Sequence, residues 1–260
     1  MDPLNHITWK LTQHFDSNRH EVYAIGDIHQ CHEEFESAIL WCREDAKRRG
    51  KMSYIVQLGD LIDRGPDLIK TLRLSELFVD FQLMGNHEWY FLQEQLGHRE
   101  CKENSRVVTH ALFETFRDKC KNSIKAYMRS LIPFMELVDE STGKVLLFSH
   151  SPIRNFNKNG WLGANEEIHL RSLGDFMFNS ESTRFELLKH IQQDIIHVHG
   201  HQSWKFLDMS EQKQLQLGNR AKVYNIDSGC VYGNHLSIMR VMDEFVFTIP
   251  SSYKYEKPKT

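Results

Sequence analysis

Three short apolar runs, residues 22–25, 55–58 and 81–84, each break off into a glycine followed by polar residues suited to holding metals or protons: Gly26-Asp27-Ile28-His29, Gly59-Asp60-Leu61-Ile62-Asp63-Arg64-Gly65 and Gly85-Asn86-His87-Glu88. Three or four apolar residues, interrupted at most by one glutamine and bounded by glycine, suit a buried strand. Between the first two runs, positions 33–49 carry Phe35, Ala38, Ile39, Cys42 and Ala46 at three- and four-residue intervals, and Gly50 follows as a stop. That spacing predicts an amphipathic helix. Pro66 can open a second helix, with Leu68, Ile69, Leu72 and Leu77 mostly on one face. A β-α-β-α-β succession requires parallel strands joined by helical crossovers, and such sheets place their chemistry beyond the carboxyl ends of the strands. The polar motifs are therefore expected to gather at one sheet edge.

Residues 87–131 read as largely helical. Strand signals return at 145–148, 195–198, 223–226, 236–241 and 245–249, the last three closely spaced and hairpin-like. The whole predicts an α/β fold in a single domain, with two packed mixed β-sheets flanked by helices. Residues 1–19 are set apart as an N-terminal extension, 20–250 form the domain with a helical insertion at about 88–135, and 251–260 read as a polar tail.

Composition narrows the partners. A formal charge of -3 over 260 residues supplies no broad positive field, so neither extended nucleic-acid binding nor an anionic membrane is expected. No stretch approaches the roughly 18 apolar residues of a membrane span. Cys31, Cys42, Cys101, Cys120 and Cys230 are odd in number and include no C-x-x-C pair, which suits free thiols in a reducing compartment, and a cytoplasmic location is expected.

Two divalent cations about 3.5 to 4 Å apart need hard oxygen ligands, imidazoles and a carboxylate able to bridge them. Asp27 and His29 alternate on extended chain, Asp60 ends the second strand as the natural bridge, and Asn86 offers an amide oxygen. His150 and His201 follow later apolar runs and offer imidazoles. One such triplet on its own is more often a polar strand cap. The ordered set is not explained that way.

These motifs resemble those of the calcineurin-like metallophosphoesterases, in particular the phosphoprotein phosphatase branch with its compact bacterial and phage members, over about residues 20–250. The family pattern is G-D-x-H-G, G-D-x-x-D-R-G, G-N-H-E and two single histidines. The resemblance implies a calcineurin-like sandwich, with Asp27, His29 and Asp60 on a first metal and Asp60, Asn86, His150 and His201 on a second. It further implies a metal-bridging hydroxide as nucleophile, His87 as general acid, Asp63 as the carboxylate orienting it, and Arg64 with Asn86 on the substrate phosphate. A second clamp arginine is expected among Arg154, Arg171 and Arg184, with Arg171 favoured, and Glu88 is expected to brace the loop. Manganese is the first metal expected, with Fe, Zn, Ni and Co also open.

The expected activity is phosphomonoester hydrolysis, on a phosphorylated protein at serine or threonine, with tyrosine also open, or on a small phosphoester. The alternative is hydrolysis of diadenosine tetraphosphate or of nucleic-acid phosphate ends. A scaffold without turnover is disfavoured because every expected ligand and the acid are present. The segment 224–233 is similar to the N-I-D-T-G-C-x-x-G text of bacterial-type members, diadenosine tetraphosphatases included, whereas Asp63 and Glu88 side with monoester chemistry. A nucleobase would call for an aromatic stacking surface, for which Trp161, Phe176 and Phe178 are available. Two positions depart from the family pattern: Gln30 stands where glycine is usual, and His150 is followed by Ser151-Pro152.

Overall fold

The computed structural model describes residues 10–98, 100–101, 104–151, 195–201, 203, 215–217 and 221–256. Eleven strands are present among them: β1 Lys10–Phe15, β2 His20–Ile25, β3 Met52–Gln57, β4 Phe81–Gln82, β5 Phe134–Asp139, β6 Val145–Ser149, β7 Ile195–His199, β8 Leu215–Leu217, β9 Ala221–Asn225, β10 His235–Arg240 and β11 Phe245–Pro250. They form a six-stranded sheet, β1-β5-β6-β7-β9-β8, and a five-stranded sheet, β11-β10-β2-β3-β4. Both are mixed, with helices packed against them, which is the expected architecture.

Side-chain alternation explains how the sheets pack. On β2, Val22 and Ala24 join Met135, Leu137, Leu146, Phe148, Ile196 and Val198 in the core between the sheets. Tyr23 and Ile25 point the other way, into a second core with Phe35, Ala38, Ile39 and Cys42 of α1 (His32–Arg48). A parallel strand buried on both faces reads as an unbroken apolar run, which is why 22–25 shows no alternation.

Helix α1 and α2 (Leu68–Phe78) are the crossovers linking β2 to β3 and β3 to β4, and both strand pairs are parallel. Asp67 caps α2 by accepting the Lys70 N–H at 2.9 Å, so Pro66 lies ahead of the cap and not inside the first turn. Helices α3 (Asn86–Gln95), α4 (Asn104–Glu114) and α5 (Asp118–Ser130) make up the helical region.

Strands β1, β5 and β8 lie outside the runs read as strands. Within the stretch read as an extension, β1 pairs in parallel with β5, its sequence Lys-Leu-Thr-Gln-His-Phe being polar as an edge strand can be. The late runs also divide between sheets: β9 pairs with β7 and β8, and only β10 and β11 form the hairpin. Part of the polar C-terminal segment is docked, with the Tyr255 N–H donating to Val231 O at 2.7 Å.

Strands β2, β3 and β4 run parallel in one sheet, and β6, β7 and β9 run parallel in the other. Asp27, Asp60, Asn86, His150, His201 and Asp227 each stand within four residues of the end of one of these strands. Six strand ends thereby deliver polar side chains to one crevice.

Candidate metal centre and active site

The loops at this edge are held in backbone conformations that side chains ordinarily avoid. Positive φ occurs at His29 (48°), Gln30 (64°), Asp60 (53°), Asp63 (71°), Arg64 (74°) and His201 (72°). Left-handed backbone costs an L-residue about 1–2 kcal/mol, and it persists where the surroundings over-determine it. Gln30 adopts the left-handed form that its usual glycine would take at less cost, so the loop tolerates the strain. The His29 N–H donates to Asp60 O at 2.8 Å and the Gln30 N–H to Leu61 O at 2.8 Å, tying the first loop to the second. Gly65 admits a close crossing, since a Cβ there would lie 2.0 Å from His29 O.

Glu88 braces the other side. Its fully buried carboxylate accepts the N–H groups of Asp60 (2.9 Å), Leu61 (2.8 Å), Ile62 (3.1 Å) and Gly85 (2.8 Å). One side chain therefore joins the second and third motifs.

Asp60 lies between two imidazoles. His29 Nε2 is 3.4 Å from Asp60 Oδ2, and His150 Nε2 is 3.3 Å from Asp60 Oδ1. His29 Nδ1 meets Ile62 O at 3.0 Å and His150 Nδ1 meets Leu58 O at 2.8 Å, which assigns the proton to Nδ1 in both rings and leaves Nε2 a lone pair. Asn86 Oδ1 lies 3.0 Å from His150 Nε2, and His201 Nδ1 lies 3.1 Å from the same atom. Acceptors thus converge on one another, an arrangement that a cation resolves and that turning over the Asn86 amide, so that its nitrogen donates to His150 Nε2 at 3.0 Å and Asp60 Oδ1 at 3.1 Å, also satisfies. Two compact donor groups meet here, His29-Asp60-His87 and Asp60-His150-His201, with Asp60 common to both.

Asp27 sits beside this pair of groups. It accepts the His201 N–H at 3.1 Å, and a Cβ at Gly200 would lie 2.0 Å from its Oδ1. Asp227, which lines the pocket, lies close enough for its charge to help raise the Asp27 carboxyl. Sequence reading did not place Asp227 in the site, although it follows the apolar positions 223 and 226 as Asp27 follows its own strand.

His87 Nδ1 is 2.5 Å from Asp63 Oδ2, and both are fully buried. Arg64 lines the pocket, and its Nη1 is 2.7 Å from His29 Nε2, so ligation of a metal by that nitrogen requires the guanidinium to leave the ring. Its base is steadied by the Tyr253 hydroxyl, which donates to Arg64 O at 3.0 Å, while the Tyr232 ring lies 5.6 Å from the guanidinium carbon. His197 bonds to the Ser149 hydroxyl at 2.8 Å, behind the pocket. Arg154, Arg171, Arg184, Trp161, Phe176 and Phe178 lie outside the described residues.

Burial is the main cause of the site's electrostatics, and charge repulsion adds to it. Asp60 and Glu88 are each pushed up to about 8, by burial first and then by neighbouring carboxylates, and Asp27 is raised well above its ordinary value by burial and by Asp227. Burial lowers His150 to about 4 and His201 to about 3. Clustered carboxylates costly to ionise, next to imidazoles that stay neutral, form a donor set that suits divalent cations.

Comparison with known proteins agrees. The family model for calcineurin-like phosphoesterases matches residues 20–237. The bis(5'-nucleosyl)-tetraphosphatase PrpE (asymmetrical) of Oceanobacillus iheyensis is 25% identical, the alignment spanning 87% of this chain and 91% of that protein. Its namesake in Anoxybacillus flavithermus is 26% identical over 90% of this chain and 96% of its own. Among solved structures, a protein provisionally assigned as a diadenosine tetraphosphatase superposes with a TM-score of 0.59 at 17% identity, covering 92% of this chain and 97% of that one. At that identity the likeness speaks for the fold alone.

Proposed function

This chain belongs to the calcineurin-like phosphoesterase family, and from that premise we propose that it is a two-metal phosphohydrolase cleaving bis(5'-nucleosyl) tetraphosphates. The observation that carries the hydrolase reading is Asp60, whose two carboxylate oxygens each face a separate imidazole lone pair. Near full-length relatives named as bis(5'-nucleosyl)-tetraphosphatases favour the dinucleotide over the phosphoprotein expected from sequence. Asp27, His29 and Asp60 would hold one ion, and Asp60, Asn86, His150 and His201 the other. Divalent ions bound there would lower the pKa of water and neutralise phosphoryl charge.

The chain's own groups supply the rest. Arg64, once off His29, would pair with phosphate oxygens, for which a planar guanidinium is well shaped. Asp63 takes the Nδ1 side of His87, which leaves Nε2 to deliver a proton to the leaving oxygen. Asp227 would steady Asp27.

A second reading, phosphomonoester hydrolysis on phosphoproteins, is favoured by that same Asp63–His87 pair. A serine alkoxide is a poor leaving group and needs an acid, whereas a departing nucleotide needs it less. The deciding experiment offers diadenosine tetraphosphate, a phosphoserine peptide and a phosphotyrosine peptide to metal-stripped protein supplied with Mn. A higher kcat/KM on the dinucleotide is expected; preference for a peptide would replace the first reading with the second.

A further inference from the structure

Behind the His87–Asp63 pair stands a buried group on the helical region that the chemistry above does not use. Thr109 of α4 is 4% exposed, and its hydroxyl lies beside the Gln30 amide of the first loop. Its neighbours fasten α4 to α3, the helix that begins with Asn86 and His87. Arg106 Nε donates to Glu94 Oε1 at 3.1 Å, and His110 Nε2 meets Glu94 Oε2 at 2.6 Å.

Asp63 uses Oδ2 for His87, while its Oδ1 is buried without a well-formed hydrogen bond among the described residues. The Thr109 hydroxyl is a group that helps hold the Asp63 carboxyl down against burial. The Gln30 amide lies between that hydroxyl and the Asp63 backbone. In one orientation its amide nitrogen lies 3.4 Å from Thr109 Oγ1. Turned over, the amide accepts the Asp63 N–H at 2.7 Å and donates to Gly65 O at 2.8 Å, both better bonds; a hydroxyl that accepts still carries its own donor, so the Thr109 proton is available in the first orientation as well.

We infer that Thr109 is a positioning residue whose hydroxyl donates to Asp63 Oδ1, fixing the carboxylate and through it the rotamer of His87. This rests on the reading of His87 as the acid for the leaving oxygen. The helical region is then part of the proton-delivering machinery. The Glu94 contacts act as its anchor.

The test replaces the hydroxyl by a methyl in Thr109→Val, retains it in Thr109→Ser, and uses Thr109→Ala should the valine variant fold poorly. Two esters with the same phosphoryl group are compared, p-nitrophenyl phosphate and phenyl phosphate, the second having the more basic leaving group. Losing the hydroxyl should lower kcat on phenyl phosphate about tenfold more than on p-nitrophenyl phosphate, with KM little changed and the serine variant close to wild type. Equal losses on both esters would overturn the inference.

A second readout needs no turnover. In metal-stripped protein the proton shared by His87 and Asp63 should give a far-downfield NMR resonance, identified by its disappearance in His87→Gln. It should move upfield in Thr109→Val and return in Thr109→Ser. An unmoved resonance would overturn the inference even if the enzyme were active, whereas a wild-type protein inactive on every phosphoester would sink the hydrolase reading and leave this measurement decisive for Thr109.

Discussion

His87 and Asp63 meet at 2.5 Å, Nδ1 to Oδ2, with each side chain 1% exposed. The same histidine is anchored from a second direction, since its backbone N–H donates to Asp60 Oδ1 at 3.2 Å and its Nε2 lies 3.9 Å from Asp60 Oδ2. The residue proposed to deliver the proton is thus registered on the carboxylate proposed to bridge the metals. Each function can be removed separately.

His87→Ala should keep two metal equivalents by elemental analysis while kcat on a phosphoserine peptide falls about 100-fold or more, the usual contribution of a positioned acid. Asp63→Asn should show the same pattern with a smaller loss. Unchanged kcat in His87→Ala would remove this residue from the mechanism.

Asp60 belongs to both donor groups. Asp60→Asn should therefore weaken metal binding at both positions at once, read as a rightward shift in a Mn titration followed by calorimetry. Two fully occupied sites at wild-type affinity would contradict the bridging assignment.

Four backbone N–H groups converge on the Glu88 carboxylate. Glu88→Gln presents an NH2 to donors on one side, leaving buried N–H groups unpaired at about 1–3 kcal/mol each. Urea denaturation should show a loss of about 3 kcal/mol. A loss near zero would mean that the two loops hold their shape without this brace.

Metal-stripped protein should lose stability as pH rises from about 6.5 to 8. Asp60 and Glu88, raised by burial to about 8, keep protons in the folded state that the unfolded chain has already released, so stability declines through that window. His150 and His201 act oppositely, but only below the ordinary imidazole value of 6.5, because burial lowers both. Above it the carboxyls prevail. Thermal melts across this range, with and without Mn, provide the check: a flat or rising metal-free curve would refute the assignment, and added metal should flatten the decline.

Much of the site could be read locally. A run of apolar residues breaking off into polar ones, usually through a glycine, marks a strand end, which is how Asp27, Asp60, Asn86, His150 and His201 were placed together. The α1 stripe was equally plain, its buried Phe35, Ala38, Ile39, Cys42 and Ala46 being those picked out by helical spacing. By contrast β1, polar along most of its length, is a strand only because β5 supplies its partner more than a hundred residues away.

Sequence alone determined which polar residues stand at strand ends and that β2, β3 and β4 run parallel, because strand length and helical period are properties of neighbouring residues. Tertiary structure decided that Asp227 lies close enough to Asp27 for their charges to act on each other, that Glu88 gathers four N–H groups from two loops, that Arg64 rests on His29, and that the Gln30 amide meets Thr109 of a distant helix. These are contacts between segments far apart in the chain. They exist only once two sheets have packed and their strand ends have met, and no local period encodes that meeting.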